Sequence, residues 1–476
     1  MFIGRKKELQ SLEKLYRSRR FEMAVIYGRR RVGKTSLIRE FIRDKKAIYF
    51  MGIESNEKQN LHNFSDAIHG FHQEEGPAPL YASFQDALEA VFQMAKEERM
   101  ILVMDEYPYA ARTSPGLFFV LQRLIDQYRD NSRLMIILCG SSMSYMEDEV
   151  LAYKSPIYGR RTAQLKILSF SFRECCLFLH GFSPEDQAVI YGMTGGTAPY
   201  LLEMDSRLTL EENVKENFLK PASLLYEEPE NLLKQEVREL SMYNAMISAV
   251  AGGATRLSEI ASQTGETTST CSTYMKSLME LGIIKRETPY GEKSGRKSIY
   301  RIDDNMFRFW YRFIPANTSL IERGADELAW KRIAPSIPEY MGAIFEQICQ
   351  EYLWGGKMLE GESPILFQSL GRWWGNDPVR KKQTEIDIMG IEDKAHALFG
   401  GCKWTNEKID LPILHTLMER SSLFPFTERE LYLFSGQGFT KSVLEAAEGN
   451  KHLHLLTYED MWKDYFGAHN RKSIIF

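Results

Sequence analysis

The run Gly28-Arg29-Arg30-Arg31-Val32-Gly33-Lys34-Thr35 fits the pattern G-x-x-x-x-G-K-[ST] at every fixed position. Few short stretches restrict a fold so strongly. The pattern specifies a loop whose backbone N–H groups wrap phosphates, whose lysine reaches the β and γ phosphates, and whose hydroxyl residue binds Mg²⁺. The flanks agree with that reading. Met23-Ala24-Val25-Ile26-Tyr27 is an apolar run that reads as a buried strand, and Leu37, Ile38, Phe41 and Ile42 follow at helical spacing. Strand, glycine loop and helix together aim a helix N-terminus at an anion. The chain is therefore expected to bind a nucleoside triphosphate, taken to be ATP with Mg²⁺, through Gly28, Arg31, Val32, Gly33, Lys34, Thr35 and Ser36.

At 476 residues the chain is long enough for two to four domains. Its 44% hydrophobic and 26% charged residues are those of a soluble globular protein. A net charge of −4 argues against wholesale coating of nucleic acid but leaves room for a local basic patch. Six cysteines without C-x-x-C spacing favour reduced thiols over disulfides or zinc, and so a cytoplasmic protein. There is no apolar run of about 18 residues, so no membrane span is expected. The N-terminal stretch lacks the apolar region of a signal peptide.

Apolar strands recur after the loop. Ala47 to Met51 is one. Met100 to Met104 is another, and it runs into Asp105-Glu106. Apolar residues ending in two acids form a Walker B signature: Asp105 is expected to join Thr35 in holding Mg²⁺, and Glu106 to orient or deprotonate a water. The plainer alternative is a strand that ends in surface acids. Leu134 to Gly140 reads as a fourth strand, with Ser141 at its tip placed to sense a γ-phosphate or simply to make a turn. Ala163 to Leu168 reads as a fifth. One strand between loop and acid pair marks the additional-strand class of P-loop ATPases, with ligands at the carboxyl ends of a parallel sheet.

Three further segments carry a family resemblance. Phe2-Ile3-Gly4-Arg5-Lys6-Lys7-Glu8-Leu9, Pro156-Ile157-Tyr158-Gly159-Arg160-Arg161-Thr162 and Gly195-Gly196-Thr197-Ala198-Pro199-Tyr200-Leu201 resemble blocks of AAA+-like ATPases related to the STAND class. The chain resembles the prokaryotic, archaeal-ATPase type of that group over about its first 220 residues. The resemblance implies that Gly4 and Arg5 lie near the adenine, that Arg160 acts on the γ-phosphate as a finger in cis or trans, and that Pro199 belongs to a helical lid. Ala198 stretches the lid spacing by one residue. A solvated loop is the competing reading of Arg160 and Arg161.

From about residue 235 to 303 the pattern is helix, short helix, turn, helix and hairpin, a winged helix-turn-helix. Tyr274, Leu278 and Leu281 are expected to face inward. Thr268, Ser269, Thr270, Ser272, Thr273 and Lys276 would lie on the exposed face of the third helix, and Lys285, Arg286, Lys293, Arg296 and Lys297 in the wing. Such groups reach phosphates more readily than base edges. Double-stranded DNA and interdomain coupling are both open as its role.

The C-terminal segment resembles the DUF234-type domain of unknown function attached to this ATPase family, and also the PD-(D/E)XK nuclease core. Carried over by position, Glu346, Asp387 and Lys403 match that core, which holds Mg²⁺ with its carboxylates. Gly401 stands where the core has a glutamate, so the resemblance implies a degenerate nuclease. Glu385, on the same strand face as Asp387, is a candidate substitute. A module that only packs and binds is the plainer alternative, with Trp373, Trp374 and Trp404 as core or interface rings. The expected architecture is α/β: ATPase core 1–180, helical lid 181–232, winged helix 233–315 and restriction-endonuclease-like domain 316–476. The expected function is an ATP-hydrolysing switch acting on DNA or on an unknown protein partner, with oligomerisation open. An ATP-gated Mg²⁺-dependent endonuclease and a DNA-binding regulator that holds ATP structurally are the alternatives.

Overall fold

Continuous apolar runs without polar alternation belong in the middle of a parallel sheet covered on both faces, and these runs form one. The computed structural model describes residues 2–72, 80–292, 295–358, 363–378 and 380–467. The chain divides into two compact units, Met1–Phe170 with Thr197–Pro199 and Ser171–Gly196 with Tyr200–Phe476.

The first unit holds β1 (Glu22–Tyr27), β2 (Ala47–Met51), β3 (Met100–Asp105), β4 (Leu134–Gly140) and β5 (Ala163–Lys166). They form a parallel sheet in the order β2-β3-β4-β1-β5. The strand inserted in space between β1 and the acid-tipped β3 is thus β4; β2, which separates them in sequence, lies at the edge. Every residue of β1, β3 and β4 is buried. Side-chain parity sorts them between two cores. Met23, Val25, Met100, Leu102, Ile136 and Leu138 enter one; Ala24, Ile26, Ile101, Val103, Met135 and Ile137 enter the other. Strand β5 is shorter than its apolar run, although the Ile167 N–H still donates to the Tyr27 carbonyl at 2.7 Å.

In the second unit, the helices Leu240–Ala251, Leu257–Thr264 and Thr268–Glu280 precede an antiparallel hairpin of β6 (Ile284–Glu287) and β7 (Ile299–Ile302). Gly265, at φ 74°, ends the second helix in the left-handed conformation, and the Thr267 hydroxyl caps the third by accepting from the Thr270 N–H at 3.1 Å. The buried stripe of that third helix is Cys271, Met275 and Leu278. Tyr274 and Leu281, expected inside, stay partly exposed, and the Tyr274 hydroxyl donates to Glu239. Thr268, Ser269, Ser272, Thr273 and Lys276 are exposed, with Thr270 half-buried. Lys293 and the Arg296 side chain lie outside the described residues.

A mixed sheet closes the second unit: β8 (Gly371–Asp377), β9 (Lys382–Ile391), β10 (His396–Lys403), β11 (Glu428–Ser435) and β12 (Leu453–Thr457), in spatial order β12-β11-β10-β9-β8. The first three strands pair antiparallel and the last two add in parallel. Leu414 and Leu417 of the helix Leu411–Ser421 share a core with Phe399, Leu431 and Leu433. The helix Ile337–Glu351 meets the sheet through Phe345, whose ring lies 5.1 Å from that of Trp404. At its end Glu351 accepts from the Phe172 N–H at 2.8 Å and the Tyr191 hydroxyl at 2.9 Å. All six cysteines are buried free thiols. No helix among the described residues is long and apolar enough to cross a membrane.

Two stability predictions follow from this packing. Ile136 is fully buried in the central strand, so Ile136→Ala should cost about 2–5 kcal/mol in urea unfolding of the first unit. Burial raises the Glu351 carboxyl from 4.5 to about 7. A group raised in the folded state contributes stability below its unfolded value, and that contribution disappears as pH rises through the folded value. Melting of the wild type should therefore fall between pH 5 and 8 by up to about 3 kcal/mol. Glu351→Gln, which keeps an acceptor for Phe172, should flatten that slope.

Candidate functional site

Two left-handed residues shape the phosphate loop, Arg31 at φ 67° and Gly33 at φ 91°. Turns of this kind bring successive N–H groups to one concave face. At Gly33 the torsion demands glycine, since an added Cβ would meet nothing within 4 Å. At Gly28 space demands it: a Cβ would stand 2.2 Å from the Ile167 carbonyl oxygen. Val32 anchors the loop by entering the core beside Leu37. Its carbonyl accepts from Arg5 Nη2 at 2.9 Å.

Arg5 itself is buried. It also donates to the Leu168 carbonyl, and its guanidinium lies 4.2 Å from the centre of the Phe170 ring. Gly4 (φ 74°) and Arg5 (φ 59°) turn the chain into the helix Lys6–Arg17. The partners of Arg5 thus include the phosphate loop and the segment that follows β5.

Lys34 is buried at the start of the helix Lys34–Ile42. Its Nζ donates to the carbonyls of Gly28 and Arg29 at 2.8 and 2.9 Å, which folds the ammonium over the mouth of the loop. Burial lowers its pKa, and Cys139, Glu106 and Asp105 oppose that. Ser36, two positions on, is exposed.

Thr35 and Asp105, far apart in sequence, meet here: Thr35 Oγ1 donates to Asp105 Oδ2 at 2.9 Å. Tyr49 donates to the same oxygen at 2.5 Å, and burial together with that carboxylate pushes the phenol pKa up. Sequence reasoning missed Tyr49. The available signal was parity: it shares the strand face of Met51, and Met51 pairs with Asp105. A hydroxyl beside a carboxylate, at the mouth of a phosphate loop, is an all-oxygen set of the kind Mg²⁺ accepts when phosphates complete it.

Glu106 occupies the left-handed region (φ 47°, ψ 42°) as it starts the helix Tyr107–Thr113. A non-glycine residue held there costs of order 1–3 kcal/mol, which the fixed strand end and helix start enforce. Its Oε2 accepts from the Ser141 hydroxyl at 2.9 Å and the Ser141 N–H at 3.3 Å. Ser141 is thus the partner of the acid.

Arg160 forms a two-pronged pair with Asp126, with Nε 2.8 Å from Oδ1, and donates to the Pro156 carbonyl at 2.7 Å. Its guanidinium is thereby paired with the helix Leu117–Tyr128. Arg161 donates to the Leu151 carbonyl at 2.8 Å. Pro199 stands at the second position of the short helix Ala198–Leu202.

In the C-terminal sheet, Asp387 and Lys403 stand 3.9 Å apart and line one small recess with Gly401 and Arg420. Glu346 lines a different recess, where Arg372 Nε lies 3.1 Å from it while Arg372 Nη2 lies 3.1 Å from Glu385. Burial raises the pKa of both Glu346 and Asp387, and the Asp387 charge adds to the rise at Glu346. A Cβ at Gly401 would meet Leu433 at 3.3 Å and Leu417 at 3.8 Å, so apolar groups surround the position where the nuclease core has an acid. Among the described residues no cluster of His, Cys, Asp or Glu is suited to hold a metal by itself.

Comparisons with known proteins agree with the phosphate-loop geometry. Residues 2–204 match an ATPase domain predominantly from Archaea, and residues 310–413 match archaeal and bacterial proteins of unknown function. An uncharacterized protein of Methanocaldococcus jannaschii is 31% identical over 436 residues, 91% of this chain and 94% of that protein. An uncharacterized ATP-binding protein of the same organism is 48% identical over 46 residues, 10% of this chain and 78% of that one. Among solved structures, a Walker-type ATPase of Pyrococcus abyssi aligns with TM-score 0.50 at 19% identity, covering 65% of this chain and 96% of that one. This last similarity is one of fold.

The Ser141 contact can be tested by substitution. Ser141→Ala removes the hydroxyl that fixes Glu106. Turnover of ATP should fall by about 10- to 100-fold with a smaller change in KM.

Proposed function

This chain belongs to the family of ATPases found predominantly in Archaea, and we propose that it hydrolyses ATP to switch its second unit between states that bind DNA or a protein partner. The observation that carries this reading is the junction of Thr35 and Asp105, with Glu106 at the next position of the chain. The pair would hold Mg²⁺, and a bound Mg²⁺ neutralises charge on the β and γ phosphates. Lys34 leaves the Gly28 and Arg29 carbonyls for the phosphate oxygens, a better match for an ammonium. Glu106 orients the attacking water and accepts its proton. A site that only stored ATP would have no use for such a carboxylate.

The second unit supplies the output. The helix Thr268–Glu280 and its hairpin read as a winged helix, whose exposed hydroxyls with Lys276, Lys285 and Arg286 are suited to phosphates more than to base edges. The C-terminal sheet binds without cutting, because Gly401 brings no carboxylate to Asp387 and Lys403 while Glu346 is engaged by Arg372. For Arg160 to act as a finger, within the chain or in a neighbouring copy, its pair with Asp126 must open.

ATP hydrolysis with Mg²⁺, with and without double-stranded DNA, tests the reading. Wild-type turnover should be lost on chelation. Lys34→Ala should abolish binding and turnover, and Glu106→Gln should retain binding but lose at least about 100-fold in kcat. Turnover that survives Glu106→Gln would overturn the assignment of the base. Stimulation by DNA would select DNA over a protein as the partner.

A further inference from the structure

The first 20 residues carry seven basic side chains and two acids, in a chain whose net charge is −4. Four of the seven lie on the helix Lys6–Arg17. The inner face of that helix belongs to the core: Leu12 is fully buried in one cluster with Leu37 and Phe41, and Leu9, Leu15 and Tyr16 pack against it. Its outer face carries Lys7, Gln10, Ser11, Lys14 and Arg17, all exposed. Steps of three and four residues place them in one stripe, about 15 Å long at about 1.5 Å per residue.

The nearby acids are engaged elsewhere. Glu8 lies 3.5 Å from the Arg5 guanidinium. Lys45 holds Glu13 at 2.7 Å and Asp44 at 2.8 Å, and Arg17 reaches Glu13 only at 3.9 Å. Among the described residues Lys7 and Lys14 form no ion pair. Other helices treat their surface lysines differently: Lys234, Lys441 and Lys463 each face a glutamate four residues away, at 3.8, 3.2 and 2.7 Å. Four residues from Lys7 and Lys14 stand Ile3, Ser11, Gln10 and Ser18 instead. Cations in a row without acids between them repel one another, and Lys7 stands in the first turn, where the helix dipole favours acids. An anionic partner relieves both.

We propose that the outer face of the helix Lys6–Arg17 docks on the phosphate backbone of double-stranded DNA. Lys7, Lys14 and Arg17 each meet a phosphate, and Gln10 adds an amide donor. Ser11, whose hydroxyl donates to the Lys7 carbonyl at 2.8 Å, is small enough to let a rigid duplex approach between the lysines. Contacts of this kind set position on the duplex and read no sequence. A lipid surface is also a polyanion, but a helix that lies in a bilayer turns large apolar side chains toward it, and here Leu9, Leu12, Leu15 and Tyr16 are turned into the protein. The surface uses no residue of the phosphate loop or of the helix Thr268–Glu280, so it stands whether or not the second unit also takes DNA.

The test measures the affinity of the full chain for a labelled duplex of about 20 base pairs, by fluorescence anisotropy over about 50–200 mM salt. Each phosphate contact adds about 0.9 to the slope of log affinity against log salt. Lys7→Gln, Lys14→Gln and Arg17→Gln together should therefore lower the slope by about 2.7 and weaken binding at least about 30-fold at about 0.1 M salt. ATP turnover without DNA should not change. Lys14→Glu alone, a single charge reversal in the middle of the face, should weaken binding about ten-fold. Lys234→Gln, Lys441→Gln and Lys463→Gln together remove the same charge from acid-paired positions and should leave the slope as it is. A slope that survives the three changes on the helix overturns the proposal, as does an equal loss in the acid-paired control. Wild type that binds phosphatidylserine vesicles but no duplex overturns it in favour of a lipid surface, and wild type that binds neither overturns it outright.

Discussion

One carboxylate oxygen organises the first unit. Asp105 Oδ2 accepts from Thr35 at 2.9 Å and from Tyr49 at 2.5 Å, so the phosphate-loop helix, the edge strand β2 and the acid-tipped β3 converge on a single atom. Parallel strands make this possible, because their carboxyl ends lie on the same edge of the sheet. The buried strands hold the geometry: β1, β3 and β4 have no exposed residue, so no strand can slip in register without turning its side chains into the wrong core. Glu106 follows from the same constraint. A strand that ends in the core and a helix that starts at the next residue force the chain through a left-handed turn, which points the acid at Ser141.

The charged residues of this unit divide into those that build and those that remain available for chemistry. Arg5, Arg160 and Arg161 are engaged with carbonyl groups or a carboxylate of the protein. Lys34 donates to two carbonyls of its own loop, and an ammonium gives up such partners readily for a phosphate. The distinction lies in the partner: a bidentate pair such as Arg160 with Asp126 fixes an orientation, whereas two loop carbonyls fix little.

The second unit follows a different logic. Its C-terminal sheet keeps a lysine–aspartate contact across neighbouring strands, but apolar Leu417 and Leu433 crowd the glycine beside it. Nearby, an arginine holds the two remaining glutamates. A guanidinium thus stands between the two acids Glu346 and Glu385.

The sequence was most readable where local rules are strict. G-x-x-x-x-G-K-[ST], an apolar strand before it, and two acids after a second strand prescribed the loop, the sheet and the Thr35–Asp105 pair, because torsion, backbone donors and hydrophobic burial act over a few residues. It was least readable where one side chain chooses among distant partners. Arg5 selected the Val32 and Leu168 carbonyls, Arg160 selected Asp126, Ser141 selected Glu106, and Tyr49 joined Asp105 unannounced. The inner stripe of the helix Thr268–Glu280 went to Cys271 and Met275, leaving Tyr274 at the rim, since its hydroxyl found Glu239. The sequence by itself determined that a phosphate-binding loop sits on a parallel sheet with acids at its edge. The tertiary structure decided which charges are committed to the protein and which remain for a ligand, because a hydrogen bond depends on distance and direction between groups that the chain brings together only when it folds.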